Sequence, residues 1–169
     1  MPKDCEIVSG RVRLAPLTEE GAEKMRLLRN RHRDCFVYSG EISAEAQKKW
    51  FEAYREKPDD HMFSVFSRES GAWIGAVGLY DVRGDEAEFG RLLIDREAAG
   101  TGGFGVDATL AVCRIGFEQL HLQRIVLEVY ADNIAAIKTY EKAGFRRFGE
   151  AEDTEGRSML CMELFNMKE

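Results

Sequence analysis

The chain has 169 residues, 44% hydrophobic and 32% charged, with a formal net charge of -6, an ordinary balance for one soluble domain with its own core. We therefore expect residues 1–169 to form a single domain. There is no strongly basic balance of the kind a nucleic-acid binder shows, no apolar run near the roughly 20 residues of a membrane span, and no signal-peptide core in the opening residues. Nucleic acid and membrane are thus not expected partners, and a cytoplasmic location is.

In chain order, residues 11–16 alternate polar and apolar and read as a strand. Thr18 then offers an N-cap for a helix running to about Arg29, with Glu19 and Glu20 at its positive end. After a charged and aromatic stretch, Ser43 can cap a second helix that carries Trp50, Phe51 and Tyr54 and is stopped by Pro58. Three strand-like segments follow at 61–67, 72–82 and 86–95, separated by the turn signals RESG and RGD, so an antiparallel meander is expected. From Phe104 to about Leu120 the period becomes helical, with Val106, Leu110, Cys113 and Phe117 as its apolar stripe. RIVLEVY at 124–130 has the β-branched character of a central strand and leads into a helix from Asn133 to Ala143, closed by Gly144. The last segments, FRRFGEAE and SMLCMELF, read as a closing hairpin.

This order predicts a mixed α/β (α+β) arrangement, a mostly antiparallel central sheet flanked by about four helices. The strand–helix–strand passage from 86 to 130 requires a crossover, which places one parallel pair in mid-sheet. The four cysteines, Cys5, Cys35, Cys113 and Cys161, form no CxxC pair, so no metal site is expected. Cys113 and Cys161 lie in apolar stretches and read as core residues.

The segment richest in chemical information is GTGGFG at 100–105, four glycines in six residues between a strand and a helix. Gly102, Gly103 and Gly105 crowd the helix start, where free N–H groups and the positive dipole end favour an anion. A flexible turn is the plain alternative. The lysine and Ser/Thr of a Walker A loop are missing, and the loop follows an antiparallel meander, unlike a dinucleotide fold.

Taken together with ADNIAAIKTYEKAGF at 131–145, the loop resembles the GNAT superfamily of acetyltransferases, whose signature N-x-x-A-x-x-x-Y-x-x-x-G-F matches Asn133, Ala136, Tyr140, Gly144 and Phe145. The resemblance spans nearly the whole chain and is to the branch similar to the ribosomal-protein N-terminal acetyltransferases RimJ and RimL. It implies a GNAT-like sheet whose parallel pair is splayed, with acetyl-CoA as cosubstrate, an amine as acceptor and no metal. Backbone amides of Gly100, Thr101, Gly102, Gly103, Phe104 and Gly105 would cradle the CoA pyrophosphate, although Gly100 stands where the family has Arg or Gln. Leu93, Ile94 and Asp95 would pair with pantetheine through their backbones, Asn133 would bond the cofactor arm, and Tyr140 would reach the sulfur and protonate the leaving thiolate. By itself Tyr140 is an ordinary packing residue of a helix.

Glu88 is the first candidate for a base and Glu128 the alternative, while a water chain to solvent would serve equally. For the acceptor site the early helices and their joining loop are expected to supply Arg29, Asn30 and Trp50. Guanidinium groups from Arg29 onward would suit a phosphate-bearing amine such as a nucleotide-linked amino sugar; cation enrichment at a helix C-terminus also accounts for them. A protein N-terminus, a polyamine or a non-catalytic acetyl-CoA sensor remain alternatives. Many family members are dimers, so the resemblance also implies a homodimer, with the hairpin 145–165 as an available edge.

Overall fold

The computed structural model describes residues 6–32, 40–100 and 102–167. Its elements are β1 (Ile7–Ser9), β2 (Val12–Pro16), α1 (Glu19–Arg31), α2 (Ala44–Arg55), β3 (His61–Ser67), β4 (Trp73–Arg83) and β5 (Glu86–Ile94). They continue with α3 (Arg96–Ala99), α4 (Phe104–Glu118), β6 (Arg124–Tyr130), α5 (Ile134–Lys142), β7 (Arg146–Glu152) and β8 (Ser158–Phe165). The strands form one eight-stranded sheet in the order β1-β2-β3-β4-β5-β6-β8-β7. All neighbours are antiparallel except β5 and β6, the expected mid-sheet parallel pair.

Local chemistry accounts for most boundaries. Thr18 and Ser43 accept hydrogen bonds from the amides of Gly21 and Ala46 and so satisfy orphan donors at the starts of α1 and α2. Gly144, at φ 103°, ends α5, and the Phe145 amide bonds back to the Tyr140 carbonyl.

The structure adds to the sequence reading at β1 and α3 and corrects it on α4 and at Cys161. Strand β1 is too short to show a period of two, and it pairs with β2 around Gly10, at φ 58°. Asp95 caps the single turn α3 through the amides of Glu97 and Ala98, which makes five helices among the described residues rather than about four. On α4 the buried face runs through Phe104, Ala108, Ala111, Val112 and Ile115, whereas Leu110 is exposed. The helix is apolar almost all round, so periodicity alone cannot select the face, and docking against β1, β2, β4 and β5 decides it. Cys113 is buried as expected, and Cys161 is only half-buried.

Each face of the sheet has its own core. One packs α4 and α5 against Leu14, Val65, Leu79, Phe89, Ile125 and Leu127. The other packs α1 and α2 against Met62, Ala76 and Leu93. Among the described residues, no helix is long and apolar enough to cross a membrane.

Candidate active site

Strands β5 and β6 share only three register pairs, Glu86 with Arg124, Ala87 with Ile125 and Glu88 with Val126. Beyond Glu88, β5 stays on β4 as far as Ile94, and β6 stays on β8 as far as Tyr130, so the two strands part and open the sheet. Two register slips bend this region, with Asp81 at φ 51° on β4 and Arg91 at φ 55° on β5. Each adds a residue to one strand only and sharpens its local twist.

The bulge at Arg91 also sets what lies on each side of the opening. Phe89 points into the α4/α5 core, and its ring meets Tyr140 edge-on at 5.3 Å and Phe145 at 5.9 Å. Glu88, one residue earlier, therefore points to the opposite face. Tyr140 and Glu88 thus flank the point where the strands part, one on each face. Burial pushes the Tyr140 phenol up to about 12. Burial also raises Glu88, helped by the neighbouring charges of Glu128 and Asp81 and opposed by Arg91. Each group is thereby biased toward its protonated form.

Backbone groups line the open edge. The Asp95 amide donates to the Ile74 carbonyl on β4 at 2.7 Å. By strand alternation Leu93 also turns its backbone groups toward β4, and Ile94 presents its own to the opening. Of the three residues expected to pair with pantetheine, the geometry leaves Ile94 as the one available. Asp95 is further engaged through its carboxylate, which caps α3 and meets Arg31 at 3.4 Å.

The glycine loop ends at Gly103, which caps α4 in a left-handed conformation with no side-chain hydrogen bond. The amides of Phe104, Gly105 and Val106 head the helix ahead of its first carbonyl partners. Gly100 and Gly102 have φ of 85° and 35°, and a Cβ on either would meet nothing within 4 Å. The loop is therefore backbone-lined, open and at a positive helix end, as an anionic pyrophosphate requires. Thr101 lies outside the described residues. Asn133 caps α5 by accepting from the Ala136 amide at 3.2 Å, which leaves its side-chain NH2 for a ligand.

A cavity of about 360 Å³ lies on the α1/α2 face, bounded by Met25, Arg29, Glu41, Gln47, Trp50 and Arg91 among others. Arg91 pairs with the buried carboxylate of Asp60 at 2.8 Å and lies over the Tyr80 ring at 4.2 Å. Trp50 stacks on Tyr54 with ring centroids 5.3 Å apart. Asn30, expected at the acceptor, exchanges two 2.9 Å hydrogen bonds with the Ile42 backbone and so anchors the cavity wall. Residues 33–39 of the joining loop lie outside the described residues. Sequence reasoning missed Arg91 and Asp60; the one signal was Gly90 inside a strand, which often marks a bulge.

Comparison with known proteins decides what this arrangement belongs to. A family model described as "Acetyltransferase (GNAT) domain" matches residues 11–146. The chain belongs to the GNAT acetyltransferases. It is 30% identical over 147 residues to "Probable N-acetyltransferase YjcK" of Bacillus subtilis (strain 168), covering 80% of this chain and 81% of that protein. Among solved structures, one described as "Apo FdhC- a nucleotide-linked sugar GNAT" superposes with a TM-score of 0.83 at 20% identity, covering 96% of this chain and 90% of the other. A spermidine N-acetyltransferase from Vibrio cholerae, in complex with CoA and spermine, gives 0.80 at 22% identity, with coverage of 92% and 95%. This GNAT chain is an acetyl-CoA-dependent N-acetyltransferase, and acetyl-CoA is its cosubstrate. The two structural neighbours carry different acceptors in their descriptions, and at their level of identity they speak for the fold alone.

Proposed function

We propose that this GNAT enzyme acetylates the primary amine of a small cytosolic molecule that also carries an acidic group, such as a nucleotide-linked amino sugar. The observation that carries this reading is the cavity on the α1/α2 face, whose lining includes Arg29 and Arg91, the aromatic Trp50 and one carboxylate, Glu41. Guanidinium forks match phosphate or carboxylate, and Arg91 is held at the cavity by its pair with Asp60. The cavity's volume of about 360 Å³ is of the size that takes a small molecule.

In this reading the amine enters from the Glu88 face and attacks the thioester carbonyl in the opening between β5 and β6. The amine's proton passes to Glu88, directly or through water, and a raised carboxyl pKa suits a base working near neutral pH. An outward-turned backbone amide at the open edge, that of Ile94, stabilises the charge that develops on the carbonyl oxygen. As the carbon–sulfur bond breaks, Tyr140 gives its proton to the departing sulfur and regains one from solvent. A phenol raised to about 12 holds that proton firmly; the apolar walls formed by Phe89 and Phe145 raise the proton affinity of a thiolate as well, which keeps the transfer matched. The Gly100–Gly105 loop would hold the pyrophosphate and the Asn133 amide the arm.

The test is to supply acetyl-CoA with separate pools of nucleotide-linked amino sugars, amino acids, aminoglycosides, polyamines and N-terminal peptides, following CoA release and acetylated product by mass spectrometry. We expect turnover in the first pool, with a higher KM in Arg29→Ala and Arg91→Ala. Preferential turnover of polyamines would overturn the acidic-acceptor assignment. Preferential turnover of peptides would instead support the RimJ/RimL-like reading of the sequence.

A further inference from the structure

The glycine loop lacks the Arg or Gln side chain that the family resemblance places at Gly100, yet it has a defined shape. The cause lies 91 residues earlier in the chain, on the turn between β1 and β2. The Arg11 Nη2 donates to the Gly102 carbonyl at 2.6 Å. Its Nε and its backbone amide both donate to Asp107 Oδ2, at 3.1 and 3.2 Å. Its guanidinium carbon lies 4.3 Å from the centroid of the Phe104 ring, the first residue of α4.

Arg11 is itself held in place. Its carbonyl accepts from the Arg68 amide at 2.9 Å, and the Arg68 guanidinium donates to the Gly10 carbonyl at 2.8 Å. Gly10 sits at φ 58°, and a Cβ there would come within 3.1 Å of the Asp107 carboxylate. The two hairpin tips and the first turn of α4 thus form one block behind the loop.

We propose that Arg11 is a positioning residue for acetyl-CoA, aiming the loop's amides at the pyrophosphate from behind; this rests on reading the loop as the pyrophosphate cradle. The peptide between Gly102 and Gly103 is trans, so its C=O and N–H point in opposite directions. Arg11 pulls the carbonyl to the rear, and the Gly103 amide consequently faces away from the hairpin, on the exposed flank of the loop. With the carbonyl free to turn, its lone pairs would face the phosphates.

The second contribution is electrostatic. Asp107 lies in the first turn of α4, where a bare carboxylate would oppose an anion seated on the helix end. The pair with Arg11 offsets that charge. Gly103 sits at φ 90°, which favours glycine, and a Cβ there would also displace Arg11 Nη2 from its place.

The experiment compares CoA with pantetheine, which lacks the ADP moiety, by calorimetry on wild type, Arg11→Gln, Arg11→Lys and Arg11→Gln/Asp107→Asn. Amide hydrogen exchange of residues 102–106 is followed with and without CoA. In Arg11→Gln we expect CoA to bind roughly tenfold more weakly, the scale of one hydrogen bond to a charged group, with pantetheine unaffected. Arg11→Lys keeps the charge but loses the fork and should fall between, and the double variant should recover part of the loss. A CoA-to-pantetheine affinity ratio in Arg11→Gln and Arg11→Lys equal to that of wild type would overturn the proposal. If wild type shows no preference for CoA over pantetheine and no protection of 102–106, the cradle reading fails instead, and this inference with it.

Discussion

Replacing Tyr140 with Phe removes one oxygen from a side chain wedged between Phe89 and Phe145, with ring centroids at 5.3 and 6.2 Å. Among the described residues its hydroxyl forms no hydrogen bond, but the side chain is only partly buried and water can reach the oxygen. Removing it therefore recovers well under the about 1–3 kcal/mol of a sealed, unpaired polar group. For a chain of this size each kcal/mol shifts Tm by about 2–4 °C, so Tyr140→Phe should melt at or slightly above wild type. Activity should move the other way, because a positioned general acid is worth about 10²–10⁴-fold, or about 3–5 kcal/mol of barrier. With the phenol pushed up to about 12, Tyr140 stays protonated throughout the working range, and its loss should lower kcat by the same factor from pH 6 to 9. The sign of the stability effect follows from linkage. The folded state holds this proton above the ordinary phenol value, so wild-type stability is present below pH 10 and is lost as pH rises through about 12, and the lead of the variant widens there. The assays are steady-state kinetics over that pH range and thermal melts at pH 7 and 10.5. A kcat within threefold of wild type would refute the acid role, and a large fall in Tm would show that the hydroxyl serves the fold.

Glu88→Gln tests the base. The acidic limb of the kcat/KM profile should lie above the ordinary carboxylate range in wild type and disappear in the variant, together with a fall in rate. Because the folded state raises this carboxyl, wild type gains stability as pH falls through its titration. Glu88→Gln should therefore melt higher at pH 8, and the difference should shrink toward pH 4; an unchanged profile would point to a water chain. Gly103→Ala meets both a φ of 90° and the Arg11 guanidinium, so it should lose about 1–3 kcal/mol of stability and weaken CoA binding, read by melts and calorimetry. Wild-type values for both would mean that the loop relaxes without cost.

Most of the fold was legible because it rests on local rules. The strand-like segment HMFSVFS, followed by the turn signal RESG, and the β-branched run RIVLEVY marked β3 and β6 to the residue, and Thr18 and Ser43 announced their helices through capping chemistry. The long helical passage between β5 and β6 implied a parallel pair, because a crossover helix carries the chain back to the end of the sheet where the first strand began. Elements shorter than one pattern repeat, β1 and α3, gave no signal, and the apolar surround of α4 concealed its buried face.

The candidate site divides along the same line. The glycine loop, Asn133 and Tyr140 could be named from their order in the chain, since a helix N-terminus and its glycines are neighbours in sequence. How they come together was decided elsewhere. The opening in the sheet depends on bulges at Asp81 and Arg91, whose φ values above 50° are uncommon for any residue but glycine and least expected for Arg. The wall of the cavity on the α1/α2 face depends on Asp60 meeting Arg91, 31 residues apart, and the start of α4 is tied to the first hairpin by Arg11 meeting Asp107, 96 residues apart. Periodicity and motif record which residues can form an element or carry a charge. Which distant charges meet, and which strand edge is left open, follows only from how the sheet twists and the helices pack on it.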